Sequence, residues 1–437
     1  MLSFFISILA KTVSAISRFF GFGMGVTWAG EISIILDKDI VRRLSADLKN
    51  GVVLVSGTNG KTTTSKMIGQ ILQSAGKSVI HSHTGANLEN GIAGTLILNT
   101  DISGKLKKDY AILEVDEAIL PRILESVNFK VLVLLNLFRD QLDRYGEINT
   151  IAKKWIEALK KIDNKDSFLV VNSDDPLVKY VSGFFDGKIK YFGLNKISRT
   201  NIHLSHAVDS SFCPKCGYKL MYRQVYLSHY GNWECPKCDM KRGEVDLSEV
   251  KSSLGGIYNT YNSLAAVLSA QNLDVSIRIA QKALLSFKPA FGRQEELVYK
   301  GKRVKIYLSK NPAGFNASLQ AVLERSPKTL LLALNDRIPD GRDVSWIWDV
   351  DFEVIPDRLN LFITGDRALD LGLRLKYTRR DKDEYPVTGG PALFIKTELK
   401  NALDESIKTV NKNDFLYILP TYSAMLNLRE IILGKKL

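Results

Sequence analysis

VVLVSGTNGKTTTSKMIGQIL, residues 52–72, decides how the rest of the chain is read. Residues 52–55 form an apolar, mostly β-branched run of the kind that makes a buried strand. The run breaks at Ser56-Gly57-Thr58-Asn59-Gly60-Lys61-Thr62 and resumes at helical spacing through Met67, Ile68, Ile71 and Leu72. Strand, glycine loop, Lys-Thr and helix make the layout that holds a nucleoside triphosphate. Loop and first-turn N–H groups point at the phosphates, and the helix dipole adds its positive end. In such a loop Lys61 reaches the β- and γ-phosphate oxygens and the Thr62 hydroxyl ligates Mg²⁺. The full phosphate-loop pattern has glycine where Val55 stands, so this is a shortened form. An ordinary glycine turn has no need of Lys-Thr at the junction, and the stretch is read as an ATP site.

A chain of 437 residues is too long for one core, so two or three domains are expected. Apolar content of 45% with 24% charged residues fits a soluble globular protein and excludes a disordered or membrane-embedded one. The formal charge of +13 suits an anionic partner: nucleic acid, a nucleotide or an acidic lipid surface. From residue 52 strands alternate with helical stretches, at 77–82, 110–117, 131–137 and 167–175, which predicts a parallel sheet covered on both faces. Residues 201–245 break the rhythm, and helical signal returns at 258–271. After Gly292-Arg293 a second α/β region begins, with strands near 304–309, 329–335, 359–365 and 414–420. Ligands in open α/β sheets lie at the carboxyl ends of the strands.

At the N-terminus, Ser3, Ser7, Lys11, Ser14 and Arg18 share one helical face, while phenylalanine, isoleucine and leucine cover much of the rest. Lys11 follows the apolar run instead of preceding it, unlike a signal peptide. Lys11 and Arg18 also interrupt the roughly 20 apolar residues that a spanning helix needs. Two placements remain: an interfacial helix lying on a membrane, or a helix packed on the protein itself or a partner.

Two further groups carry chemistry. Glu114, Asp116 and Glu117 end the strand AILEVDE, and Glu114 is read as a Mg²⁺ ligand beside the phosphate loop. The stretch NLFRDQLDRYGE, 136–147, follows another apolar strand, so its polar groups are expected at the same edge. Cys213, Cys216, Cys235 and Cys238 form a CxxC…CxxC pair with 18 residues between its halves. Four thiolates at this spacing close a tetrahedral, structural Zn²⁺ site with no position left for substrate. They are the only cysteines in the chain, which points to a reducing, cytoplasmic setting. No basic stripe interleaved with aromatics accompanies them, as nucleic-acid binding would require.

Taken in order, these residues resemble the Mur ligase family. The resemblance rests on G-T-N-G-K-T-T (57–63), with Thr63 as its last residue, on Glu114, on Asp140, Asp143 and Gly146, and on N-x-D-D-P (172–176). G-x-x-N-x-x-N (256–262), Gly292-Arg293 and N-P-x-x-x-x-A (311–317) extend it to the last domain. The inserted cysteines, K-N-P-A-G-x-N-A-S-L (310–319) and D-G-R-D-x-S-W-I-W-D-x-D-F-E (340–353) look like the branch of synthetase subunits that amidate lipid II. The implied fold is α/β: an N-terminal amphipathic helical segment (1–48), then a P-loop Mur-ligase-type central ATPase domain (49–293) with an inserted Cys₄ zinc ribbon (about 205–243). A C-terminal Rossmann-like α/β domain (294–437) contacting a glutaminase completes it. The implied reaction uses ATP to phosphorylate the α-carboxylate of the D-glutamyl residue of lipid II, and ammonia then gives D-isoglutamine. The ammonia would come from a separate glutaminase subunit resembling GatD, at the inner face of the cell membrane.

The resemblance also implies roles for individual residues. Asn259 and Arg293 contact the nucleotide, and Lys310 and Asn311 face the substrate. Asp349 completes the glutaminase by orienting its histidine. Such an acid fixes the imidazole tautomer, and Trp346 and Trp348 beside it read as interface anchors. If all four cysteines hold zinc, none is left as the thiolate that glutamine hydrolysis uses, which fits a two-subunit scheme. Two departures stand out. Gln141 occupies the place where the family commonly has a Mg²⁺-binding histidine, and the family's carbamylated lysine falls near Trp155, with Lys153 and Lys154 out of register. Two rival readings are an amino-acid-adding Mur or folylpolyglutamate-type ligase, and a zinc-ribbon ATPase that binds nucleic acid. The second leaves the motifs of 292–353 unexplained.

Overall fold

The computed structural model describes residues 2–20, 24–82, 86–139, 147–163, 165–195, 208–288, 292–356, 358–378 and 393–434. They fall into two compact units. The first holds residues up to Phe138 and most of those from 147 to Lys288; the second holds Arg139, Asp209 and the residues from Gly292 onward.

The first unit opens with α1 (Leu2–Phe19), α2 (Val26–Leu36) and α3 (Ile40–Ala46). It continues through β1 (Gly51–Ser56), α4 (Lys61–Ser74), β2 (Val79–His81), α5 (Glu89–Leu98), β3 (Tyr110–Val115) and α6 (Leu120–Ser126). Then come β4 (Phe129–Leu134), α7 (Ile148–Lys161), β5 (Phe168–Asn172), α8 (Pro176–Ser182) and β6 (Lys188–Phe192). The sheet is parallel in the order β2-β3-β1-β4-β5-β6, so β1 lies at the centre with its side chains buried on both faces. That burial is why its sequence reads as an unbroken valine-rich run. The antiparallel hairpin β7 (Met221–Leu227) and β8 (Tyr230–Glu234) interrupts the series, and α9 (Ile257–Gln271) and α10 (Ile277–Leu285) then pack on α4. Residues 1–48, read from the sequence as a separate segment, group with this unit because α1 and α2 pack against α5. No helix among the described residues is long and apolar enough to cross a membrane.

The second unit comprises β9 (Arg293–Tyr299), β10 (Lys302–Tyr307), α11 (Pro312–Leu323), β11 (Thr329–Ala333), β12 (Asn360–Thr364) and α12 (Ala368–Tyr377). It ends with β13 (Leu393–Ile395), α13 (Leu399–Lys408), β14 (Phe415–Pro420) and α14 (Tyr422–Leu433). Its sheet runs β13-β12-β11-β14-β10-β9, parallel except for the β9–β10 hairpin. Between β11 and β12 two short 3₁₀ turns, Ser345–Asp349 and Phe352–Val354, carry the tryptophan-rich segment.

Candidate functional site

Ser56 at the end of β1 is in register with Val115 of β3 and Leu134 of β4. The glycine loop, the acidic pair 116–117 and the 135–138 segment therefore leave the sheet side by side. This is where the chain switches from one side of β1 to the other, the usual location of a ligand site in an open α/β sheet.

The loop is shaped by two glycines and held by one asparagine. Gly57 and Gly60 have φ of 135° and 91°. A Cβ on Gly57 would lie 2.9 Å from the Asn136 backbone, and one on Gly60 2.3 Å from Asn262 Oδ1. The Asn59 N–H donates to Asn136 Oδ1 at 2.7 Å, and Asn136 Nδ2 donates back to the Asn59 carbonyl at 2.9 Å. Thr58 is fixed to Phe138 in the same reciprocal way, its hydroxyl donating at 3.2 Å and accepting at 3.0 Å. These bonds set the loop's backbone before any ligand arrives.

Lys61 and Thr62 open α4 and are buried. Lys61 Nζ donates to Glu117 Oε2 at 2.8 Å and to the Gly57 carbonyl at 2.5 Å. Thr62 Oγ1 donates to Glu114 Oε2 at 2.8 Å, and Ser65 Oγ to Glu114 Oε1 at 3.0 Å. The Glu114 N–H is held by Ser82 Oγ at 3.1 Å. A hydroxyl and a carboxylate brought together beside a phosphate loop are hard oxygen donors, the set that suits Mg²⁺. Next to them, burial holds the His81 imidazole below its usual range, against the pull of Glu114.

On α9, Asn262 Oδ1 accepts from Thr64 Oγ1 at 3.2 Å and Asn262 Nδ2 donates to Asn259 Oδ1 at 3.4 Å, so both asparagines adjoin the loop. Sequence reasoning singled out Glu114, Lys61 and Thr62. It left Glu117, Ser65, Ser82, Asn136 and Asn262 without roles, because their partners are 32 to 198 residues away along the chain. Trp155, at the family's lysine position, is fully buried and its indole N–H donates to the Glu117 carbonyl at 2.8 Å. Lys153 and Lys154 are exposed, so neither enters this cluster. Asp140, Gln141, Asp143 and Gly146 lie outside the described residues.

The N-x-D-D-P residues turn out to be structural. Asp175 caps α8, accepting from the N–H groups of Leu177 and Val178 at 3.0 and 3.1 Å. Asp174 accepts from Tyr261 Oη at 2.6 Å and pairs with Arg242, tying the cysteine insertion to the sheet. Burial raises its carboxyl above the usual range, against Arg242 and Tyr261.

The four cysteine sulfurs lie within 4.8 Å of one another. Cys213 and Cys238 are 3.6 Å apart, and Cys216 and Cys235 3.5 Å. Sulfurs at the corners of a tetrahedron around a metal about 2.3 Å away would be about 3.8 Å apart, whereas a disulfide requires about 2 Å. The turns are tight: the Gly217 N–H donates to the Cys213 carbonyl at 2.8 Å, and the Cys235 N–H to the Met240 carbonyl at 2.8 Å. Burial pushes the Cys213 thiol up to about 12. At Cys235 burial acts the same way but is outweighed by N–H groups of Lys237 and Cys238, leaving that thiol at about 7. The set fits a closed metal site.

In the second unit, Arg293 opens β9 and is half-buried, as is Lys310. Asn311 is buried and caps α11, accepting from the Gly314 N–H at 2.8 Å. The three aspartates of the tryptophan segment differ. Asp343 accepts from the Ser345 N–H at 2.8 Å, and Asp351 exchanges two 2.9 Å bonds with Asn316. Among the described residues the Asp349 carboxylate meets only Arg139, at 3.8 Å, and it is 44% exposed. Trp348 is exposed, whereas Trp346 packs half-buried on Phe315, so only one of the two expected anchors faces outward. Ile347 and Phe352 are buried, and Arg374 donates to the Val350 carbonyl at 2.8 Å, fixing the segment from below.

Two families match the chain: the Mur ligase middle domain over residues 55–270 and the MurT ligase C-terminal domain over 308–425. The chain is 32% identical to the MurT subunit of a glutamine-hydrolysing lipid II isoglutaminyl synthase from Staphylococcus aureus, covering 97% of this chain and 96% of that one. The equivalent subunit from Streptococcus pneumoniae is 33% identical over 95% and 94%. Among solved structures, a pseudomurein peptide ligase type C from Methanothermus fervidus superposes with a TM-score of 0.65 at 23% identity, covering 89% of this chain and 79% of that one. MurF from Acinetobacter baumannii gives 0.61 at 19%, covering 91% and 80%. These two likenesses establish the fold alone.

Proposed function

Because this chain belongs to the MurT family of Mur ligases, we propose that it is the synthetase subunit of a glutamine-hydrolysing lipid II isoglutaminyl synthase. It uses ATP to amidate the α-carboxylate of the D-glutamyl residue of lipid II during peptidoglycan synthesis. The full-length similarity to two such subunits, running through both family domains, carries the reading.

In the reaction, an oxygen of the substrate carboxylate attacks the γ-phosphorus of ATP and ADP leaves, giving an acyl phosphate. Ammonia then attacks the acyl carbon, inorganic phosphate departs, and the nitrogen loses a proton to give the amide. The backbone of residues 57–63 cradles the phosphates, and Lys61 exchanges Glu117 for a phosphate oxygen and neutralises charge developing there. Thr62 and Glu114 would hold Mg²⁺, which would supply positive charge to neutralise the phosphates. Asn259 and Arg293 take the nucleotide, and Lys310 with Asn311 faces the substrate. Ammonia comes from a glutaminase subunit that docks on the Asp349 segment.

The direct test is ATP-dependent amidation of lipid II by the chain purified with its glutaminase, with glutamine and with ammonia. Addition of an amino acid instead of ammonia would overturn the reading. Glu114→Gln should raise the Mg²⁺ concentration for half-maximal turnover by about tenfold to a hundredfold; an unchanged Mg²⁺ titration would remove Glu114 from this role. The cysteine cluster holds structural zinc, so metal analysis should give one zinc per chain. Cys213→Ser should abolish it and lower the thermal unfolding midpoint by about 5 to 10 °C.

A further inference from the structure

Helix α1 is inside out by the standards of a water-soluble protein. Apart from Ile6, its inward face is small and polar: Ser7, Ala10, Ser14 and Ser17 are all buried, and the hydroxyls find partners within the chain, Ser7 with Thr100 Oγ1 at 2.6 Å and Ser14 with the Met24 carbonyl at 3.0 Å. Its outward face carries Phe5 (62% exposed), Ile8 (49%) and Phe19 (85%). The neighbouring α2 repeats the arrangement, burying Ala29, Gly30 and Ser33 while exposing Trp28 (61%) and Ile35 (70%). A surface helix ordinarily buries its large apolar side chains and shows its serines to water.

The packing beneath is also unusual. A Cβ on Gly30 would lie 1.7 Å from the Asn90 carbonyl oxygen, and one on Gly94 2.0 Å from that of Val26, so α2 and α5 meet backbone to backbone. Small residues between helices with large apolar ones outside is how helices pack where the surroundings are themselves apolar. Yet neither helix is long and apolar enough to span.

Charge selects the occupant. Glu31 is the only carboxylate in the first 36 residues, against Lys11 and Arg18, and it accepts from Asn90 Nδ2 at 3.1 Å. The loop that meets the start of α1 at Gly104 adds Lys105, Lys107 and Lys108, of which Lys107 pairs with Asp101 at 2.7 Å, and Ile102 is 90% exposed. A second copy on this face would bring the two basic rims together, which electrostatic complementarity disfavours. An anionic lipid surface matches both the apolar face and its rim. We propose that the outward faces of α1 and α2 insert into the interface of an anionic bilayer, seating the protein as a monotopic membrane protein.

The inference stands on this surface and not on the reaction, so its test needs no turnover. Full-length protein is floated with phosphatidylglycerol–phosphatidylcholine vesicles and with phosphatidylcholine alone. Binding should favour the anionic vesicles. Phe5→Ser/Phe19→Ser should lower the vesicle partition coefficient by about tenfold or more, while Phe5→Leu/Phe19→Leu keeps most of it. Thermal unfolding of all variants should match the parent. Failure of the parent to float, or equal flotation of the serine variant, would overturn the proposal. So would a parent dimer that the serine substitutions dissociate without any vesicle binding. Amidation of a soluble, lipid-free substrate checks the ligase reading separately.

Discussion

Lys61→Ala should lower ATP-dependent amidation by about a thousandfold with either nitrogen source, the scale of loss when one preorganised charge-stabilising group is removed. The same substitution disturbs the fold, because the Lys61 and Glu117 side chains are only 9% and 4% exposed and pair at 2.8 Å. Removing one partner of a buried pair typically costs about 3–5 kcal/mol, since the other charge is left without compensation. A loss of activity alone would therefore be ambiguous. The double variant Lys61→Ala/Glu117→Gln resolves it: neutralising the stranded carboxylate should restore most of the thermal stability and none of the activity. The measurements are single-turnover phosphoryl transfer and thermal unfolding on the same preparations. Near-parental turnover in Lys61→Ala would remove the ATP loop from the mechanism. Recovery of activity in the double variant would show that Lys61 acts only by satisfying Glu117.

That pair also marks how far the sequence could be read. The central strands were legible because strands buried on both faces need apolar residues at nearly every position, as in β1, β3 and β4 apart from Ser56, Glu114 and Lys130. The edge strands β6 (KIKYF) and β9 (RQEELVY) were not, since one side of each meets no further strand and tolerates charge. At the site, Gly60, Lys61 and Thr62 announce themselves by adjacency in the chain. The Asn59–Asn136 clamp and the Ser65–Glu114 bond do not, because only the register of β1 with β3 and β4 brings them together. At the N-terminus the serine stripe was visible, but periodicity gives two faces without saying which turns inward. Ser14 against Gly25 answers that, by an approach too close for a larger side chain.

Asp349→Asn should separate the two halves of the proposed enzyme. Glutamine-driven amidation by the complex should fall by about three to four orders of magnitude, as when an asparagine replaces the acid that sets a catalytic histidine's tautomer. Ammonia-driven amidation should stay near the parental rate, since that route bypasses the glutaminase. The resemblance to lipid II amidating subunits named this residue, and the structure supplies an independent reason to prefer it over its neighbours. Asp343 and Asp351 have carboxylate oxygens engaged by Ser345 and by Asn316 of α11, whereas Asp349 stands half-exposed on a turn pinned by buried Ile347. Asp351→Asn is the matched control: it weakens the reciprocal bonds to Asn316, so it should lower stability and affect both nitrogen sources alike. Arg139→Ala tests whether the cation 3.8 Å away competes for the carboxylate; if it does, glutamine-driven turnover should hold or rise. Equal loss with glutamine and ammonia in Asp349→Asn would instead assign this carboxylate to the ligase centre or to the fold, and the shared-histidine scheme would fall.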